Sequence, residues 1–301
     1  MKPLRKLFAA CACTLLLPFS PIASAEERLV NVVFCDSPGS ISRQEVISEI
    51  SARFPAAFVD CGSAVPTQSQ IFVALSYSDA IDILSNDHLA SSPIVISNVY
   101  RNSVSDVLAA NEKGDIYTFF NDPDPRAQLL LSKAIFPALP RLLLIYSYAT
   151  HSIAVEYQQT ASLLGLELHL AAVKDEKGVL KTIQDYRDVD AIILIPDKHL
   201  YNKMTLPNII RSSYQSNIPL IGFSPGLVQS GILGTTYPSI QARVEFIGTI
   251  VDHYVQNHDK SNTPLDGHSH GLSINRRVAR SLGMEIAEDG VLIGSIQERE
   301  E

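Results

Sequence analysis

Apolar runs of strand length recur along this chain, and stretches of helical spacing separate them. The pattern is densest between Ala191 and Gly234. Ala191–Ile195 is unbroken apolar sequence that stops at Pro196 and Asp197. A helical stretch follows through Ile209, Ile210 and Tyr214. Ile218–Phe223 then runs into Ser224-Pro225-Gly226, and Ser230–Gly234 reads as a third short strand. Unbroken apolar runs separated by a helix are the pattern of a parallel sheet buried on both faces. Ligands of such sheets bind beyond the carboxyl ends of the strands. Asp197, His199, Ser224 and Thr236 each follow an apolar run, so they are the first candidates for a cleft.

The same alternation starts earlier. Asn31–Phe34, Phe58–Val59, Ile71–Leu75, Pro93–Val99 and Ile116–Phe120 read as strands, with helical spacing over Ile41–Phe54 and through Ile81, Ile83 and Leu84. Asn121-Asp122-Pro123-Asp124-Pro125 breaks the pattern with turn chemistry and reads as a crossing between two lobes. Beyond it the sequence predicts a helix over Arg126–Leu139, a strand over Leu142–Ser147 and a helix through Ile153, Tyr157, Ala161 and Leu164. That helix closes at Gly165, the C′ glycine. Glu167–Val173 is a strand and Val179–Tyr186 a helix. Ile240, Val244, Ile247, Val251 and Val255 form one helical stripe. A short strand and a helix ending at Gly283 follow, and the polar residues after Gly290 are expected to fray. The pattern is βαβα twice, which implies an α/β fold of two doubly wound Rossmann-like lobes with an interlobe ligand cleft.

The first 25 residues stand apart from this pattern. Lys2, Arg5 and Lys6 form a basic start, and Leu7–Leu17 is apolar but too short to span a bilayer. Ala23-Ser24-Ala25 fits a signal-peptidase site, so cleavage is expected after Ala25, with a periplasmic destination. A competing lipoprotein reading acylates Cys11 or Cys13, but it leaves almost no apolar core to the signal. Without the three basic residues, 21 Lys and Arg face 32 Asp and Glu, a net charge of −11. That excess argues against nucleic acid and anionic membranes as partners. Cys35 and Cys61 are then the only cysteines, each just past an apolar run. An exported chain most simply pairs them in a disulfide, the alternative being two reduced thiols.

Several motifs carry possible chemistry. Gly222-Phe223-Ser224-Pro225-Gly226 matches the G-x-S-x-G elbow of serine hydrolases. The residue after that nucleophile must donate its N–H to the oxyanion, and Pro225 has none, so hydrolysis is disfavoured. Asp266, His268 and His270 alternate along one face of an extended segment, with His253 and His258 nearby. The plain reading is a solvated crossing, and no metal site is assigned. Asp197 reads equally as a helix N-cap and as a ligand contact, with His199 beside it. Tyr77, Tyr100, Tyr148 and Tyr237 are rings available to stack on a planar ligand. No Walker-type loop and no G-x-G-x-x-G occurs, so no cofactor is expected.

The second half resembles the periplasmic substrate-binding proteins of the ABC-transporter type, a branch of the type I periplasmic binding protein fold. The matching pieces are RLLLIYS, LLGLELHLAAV, VDAIILIPD, NIPLIGFSPGLVQSGILG and LSINRRVARSLGMEI, the last being the most specific through Ile274, Asn275, Leu282 and Gly283. The resemblance implies a binding protein without enzymatic activity, monomeric and not embedded in the membrane. Its lobes would comprise residues 26–120 with 238–264, and 121–237 with 265–290, leaving 291–301 as a flexible tail. Three crossings are implied, near 117–122, 235–240 and 262–268. The implied ligand-binding residues lie at strand ends: Ser76, Tyr77 and Ser78; Asn98 and Tyr100; Tyr148; Asp197 and His199; Ser224; Thr236 and Tyr237. Relatives that take amino acids carry carboxylates where this chain has Ser224 and the Thr235-Thr236 crossing. Their loss removes the partner of an α-ammonium group and leans toward a neutral or anionic ligand. The implied partners are a small-molecule ligand and a membrane permease. A sensor subunit signalling to a membrane kinase or cyclase is the alternative.

Overall fold

The computed structural model describes residues 30–35, 41–67, 70–89, 91–109, 115–136, 138–255 and 270–297. The signal segment, His258 and Asp266–Ser269 lie outside the described residues.

Two sheets carry the fold. The first contains β1 (Asn31–Cys35), β2 (Ala56–Val59), β3 (Gln70–Ala74), β4 (Ile94–Val99) and β5 (Ile116–Phe120). All its pairings are parallel, in the order β2-β1-β3-β4-β5. The second contains β6 (Arg141–Tyr146), β7 (Glu167–Ala172), β8 (Ala191–Leu194), β9 (Leu220–Ile221), β10 (Gly234–Pro238) and β11 (His270–Ile274). Its order is β11-β10-β9-β8-β6-β7, with only β11 antiparallel. Its first five strands therefore repeat the topology of the other sheet. In each, the strand order reverses at one point, between β1 and β3 and between β6 and β8, which is where doubly wound sheets open a crevice.

The unbroken apolar runs have a direct cause. Along β6 and β8, Leu142, Leu144, Ala191 and Ile193 face one core, and Leu143, Ile145, Ile192 and Leu194 face the other. Each fully buried side chain of this kind contributes about 1.5–3 kcal/mol. The first core is roofed by α4 (Pro125–Ile135), α5 (His151–Leu163), α10 (Arg276–Ser281) and α11 (Asp289–Gln297). The second lies under α6 (Glu176–Asp185), α7 (Leu206–Gln215) and the short α8 (Pro225–Gln229), which contributes Leu227. The first sheet is likewise covered twice. Helices α1 (Ile41–Arg53) and α9 (Ile240–Val255) pack on Val32, Phe34, Ile71 and Val73. Helices α2 (Tyr77–Ser85) and α3 (Arg101–Ala109) pack on Val33, Phe72, Ile94 and Ile96.

The chain passes between lobes where the elements change core. After β5 it crosses at Asn121–Asp124, and Asp124 caps α4 by accepting from Ala127 N at 2.7 Å. After β10 it returns through Pro238 and Ser239 into α9, whose Ile247 and Val251 lie in the first-lobe core. The next described element after α9 is β11, in the second sheet.

Four elements differ from expectation. The helix expected over Arg126–Leu139 stops at Ile135, because Phe136 precedes Pro137 and is held extended at φ −111° and ψ 104°. The third strand expected at Ser230–Gly234 instead starts at Gly234 and runs through the Thr235–Pro238 stretch. Helix α3 carries too few apolar residues to register as a pattern. Finally, residues 291–297, expected to fray, continue α11: Leu292 is 1 % exposed because it seals the second-lobe core beside α4. The Cys35–Cys61 disulfide is present, with Cα atoms 5.3 Å apart, inside the usual range.

Candidate functional site

The carboxyl ends of β4 and β5 face those of β9 and β10 across the lobe boundary. Between them lies a cavity of about 290 Å³. Asn98 and Tyr100 come from the end of β4, Asn121 from the first crossing, Phe223 and Ser224 from the turn after β9. Tyr237 is the next-to-last residue of β10, and Arg243 stands one turn into α9.

Local structure explains how each is aimed. Asn98 sits at a register shift in β4, between Ser97 and Val99, with φ +65°. Asparagine tolerates that left-handed conformation better than most residues. Its Nδ2 donates to Leu75 O at 2.9 Å, and its Oδ1 accepts from Asn121 Nδ2 at 2.9 Å. The amide thus ties the ends of β3 and β4 to the crossing. Tyr100 meets Phe223 edge to face, with ring centroids 5.8 Å apart, so one ring from each lobe closes the cavity. Tyr237 lies against Gly271 on the paired strand β11, and a Cβ at 271 would strike its ring. The turn at Gly222–Ser224 is fixed from inside. Fully buried Gln128 donates through Nε2 to Gly222 O and accepts through Oε1 from Thr236 N at 3.0 Å and Thr236 Oγ1 at 3.1 Å.

Four of the predicted residues, Asn98, Tyr100, Ser224 and Tyr237, are therefore brought together. The rest lie elsewhere. Ser76 caps α2, accepting from Asp79 N at 3.1 Å. Tyr77, Ser78 and His199 are exposed, and Tyr148 is 95 % exposed. Thr236 is fully buried on Gln128, as described. Asp197 is buried and turned inward. Its Oδ1 accepts from the amides of His199 (3.0 Å) and Leu200 (3.2 Å). Its Oδ2 accepts from Thr150 Oγ1 (2.8 Å) and Ser147 N (3.3 Å). Both oxygens are engaged by the protein's own donors, so Asp197 welds the ends of β6 and β8. The residues not foreseen are Asn121, Phe223 and Arg243. The signal for Arg243 was available: it falls three residues after Ile240 and four before Ile247, on the apolar stripe of α9.

Charge in the cleft is unusual. Burial lowers Arg243 from the ordinary arginine value. Burial likewise raises the Tyr100 phenol, opposed by the neighbouring Ser224 hydroxyl. Asp122 lies just behind. Burial raises its carboxyl above the usual carboxylate range, opposed by the Arg101 amide that donates to Oδ2 at 2.7 Å. Its Oδ1 is buried with no hydrogen-bond partner among the described residues. A folded-state pKa above the unfolded value means that the native protein binds the proton more tightly. Stability then declines as pH rises from the unfolded carboxylate value, about 4, through the folded one. Asp122→Asn should abolish this decline. Melting curves of wild type and variant should diverge, in the variant's favour, as pH rises from about 4. Parallel curves would show that Asp122 is as acidic folded as unfolded.

A family model described as ABC transporter substrate binding protein matches residues 68–294. The chain belongs to that family. Solved structures share the fold of this substrate-binding protein at low identity. An ABC domain from Streptococcus pneumonia, in complex with L-Trp, is 17 % identical, with a TM-score of 0.55 over 87 % of this chain and 97 % of its own. A ligand-free, open substrate binding protein with adhesive properties from Clostridium difficile is 13 % identical, with a TM-score of 0.64 over 86 % and 97 %. A conserved domain protein from Vibrio cholerae is 15 % identical, with a TM-score of 0.53 over 89 % and 98 %. A search of curated proteins gives no match. Among the described residues, no helix is long and apolar enough to cross a membrane.

Proposed function

We propose that this substrate-binding protein is exported, that its lobes close by hinge motion on a small molecule, and that the closed form presents that molecule to the membrane permease of an ABC importer. The observation that carries the reading is the cavity between the two sets of strand ends, built half from each lobe. A small molecule there touches both lobes at once and favours their closure through differential contact with the closed state. Bonds across the boundary support it: Asn102 Nδ2 donates to Pro196 O at 2.6 Å, and Arg101 pairs with Glu156 at 2.8 Å. The second pair is more than two-fifths exposed on each side and contributes at most about 1 kcal/mol, a latch weak enough to open. The disulfide supports passage through an oxidising compartment, and the sequence assigns signal cleavage after Ala25.

The test is a thermal-shift screen of unfolded and refolded mature protein against amino acids, small peptides, purines, polyamines and carboxylates. A ligand at about 100 times its Kd should add about 2.7 kcal/mol, a rise of several degrees. A saturable hit weakened by Tyr100→Ala places the site in the cleft. A panel without any shift counts against nutrient capture.

A further inference from the structure

Arg243 is the feature that a generic solute cleft leaves unexplained. The residue is 5 % exposed. Its Nη2 donates to Asn121 Oδ1 at 2.6 Å, and its Nε is buried with no hydrogen-bond partner among the described residues. No carboxylate among the described residues forms an ion pair with it. A guanidinium held out of water by one neutral amide is unfavourable, and an anion entering beside it relieves that state. The remaining wall is neutral and largely flat-faced: the rings of Tyr100, Phe223 and Tyr237, the amides of Asn98 and Asn121, and the Ser224 hydroxyl. Among the described residues, no acidic side chain lines the cavity. Asp122, on the first crossing, is not among the lining residues, and its Oδ2 is engaged by the Arg101 amide. An α-ammonium group would find no counter-charge on these walls. The volume of about 290 Å³ lies at the small end of ligand pockets.

We propose that the solute is a small planar organic monoanion, an aromatic or similarly flat carboxylate without an ammonium group. Its carboxylate is received by Arg243, and its ring lies among Tyr100, Phe223 and Tyr237. The inference rests on the solute-binding reading and specifies its ligand class. Arginine suits the task, because its planar fork meets a carboxylate with two parallel hydrogen bonds and remains charged when desolvated. The rings offer stacking and edge contacts to a flat body of either substitution pattern.

The experiment is calorimetric titration of the refolded mature protein with benzoate, 4-hydroxybenzoate and phenylacetate, with their three primary amides, and with L-phenylalanine. At least one carboxylate should bind saturably. Its amide should bind about tenfold more weakly or worse, since it lacks the charge that Arg243 answers. L-phenylalanine should bind no tighter than the amide of phenylacetic acid. Arg243→Lys keeps the charge but not the fork and should weaken the carboxylate about tenfold, and Arg243→Gln more, with both variants compared at matched melting temperature. If Arg243→Gln fails to fold, the carboxylate and amide pair on wild type decides alone. An amide equal to its acid, an amino acid tighter than phenylacetate, or unchanged binding by the folded Arg243 variants overturns the proposal and leaves solute binding standing. Silence from all three carboxylates overturns it too. If the broad thermal-shift panel is also silent, the solute-binding reading falls with it.

Discussion

Asp197→Ala should destabilise the folded protein by about 3 kcal/mol or more, with no contact to ligand involved. The carboxylate is 2 % exposed and answers four donors, from Ser147, Thr150, His199 and Leu200. Alanine removes the acceptor from all four. Ser147 N and Thr150 Oγ1 keep only bonds to each other's residue, at 3.2 and 3.3 Å, while the His199 and Leu200 amides lose theirs, and an unsatisfied buried donor costs about 1–3 kcal/mol. The deficits do not simply add, because the loop after β6 can relax. The loop after β8 cannot relax as freely, since Tyr201 beyond it is buried and donates through its hydroxyl to Ile145 O at 2.9 Å. Asp197→Asn keeps the volume and one acceptor oxygen, so it should fall between alanine and wild type. Urea unfolding of the three proteins checks the order. If Asp197 instead touches ligand, the alanine variant keeps its midpoint and loses binding of the solute found by thermal shift.

Asp197 also shows where sequence reasoning reaches its limit. Its position past an apolar run was legible, because a strand buried on both faces must be apolar throughout. That rule found the strands of both sheets except β10, and with them most of the rim on which Asn98, Tyr100, Ser224 and Tyr237 meet. It says nothing about which way a rim side chain turns. Asp197 and Thr236 turn into the protein, where Thr150 and Gln128 wait for them. His199, Tyr77 and Tyr148 turn to solvent. Neither partner is near in sequence: Gln128 is 108 residues from Thr236. Arg243 was hidden differently. The stripe of α9 was read from Ile240, Val244, Ile247 and Val251, and a charge inside an apolar stripe looks like noise in a periodicity count. Physically it is the reverse, since a buried arginine with no acid paired to it among the described residues leaves a counter-charge for an entering anion to supply. One strand was misplaced for a simpler reason: β10 is built from Thr235, Thr236 and Tyr237, whose polarity resembles a crossing.

Removing the disulfide as the double variant Cys35→Ala, Cys61→Ala should lower stability by about 3.5 kcal/mol, the chain-entropy value for a loop closed over 26 residues. The native ends of the bridge have other anchors. Arg43 Nη2 donates to Cys35 O at 2.7 Å, and Asn86 Nδ2 donates to Cys61 O at 2.9 Å and to Ala64 O at 2.8 Å. Arg43 is itself paired with fully buried Asp79 at 3.1 Å, whose Oδ2 also accepts from Leu75 N. The carboxyl ends of β1 and β3 thus stay tied when the sulfurs go, so the loss falls mainly on the unfolded chain, which gains freedom. Two observables separate this from damage to the fold. The denaturant m-value should rise, because the uncrosslinked chain exposes more surface. Ligand affinity should hold, because the cavity is lined by β4, β9, β10 and α9 rather than by the bridge. At roughly 2–4 °C per kcal/mol the melting temperature should fall by about 7–14 °C. Both sulfurs are at most 3 % exposed, so reductant should act on the wild type only as the first lobe opens, slowly at low temperature and fast near the transition. A double variant within about 1 kcal/mol of wild type would show that the unfolded chain is already held compact across this loop by other means.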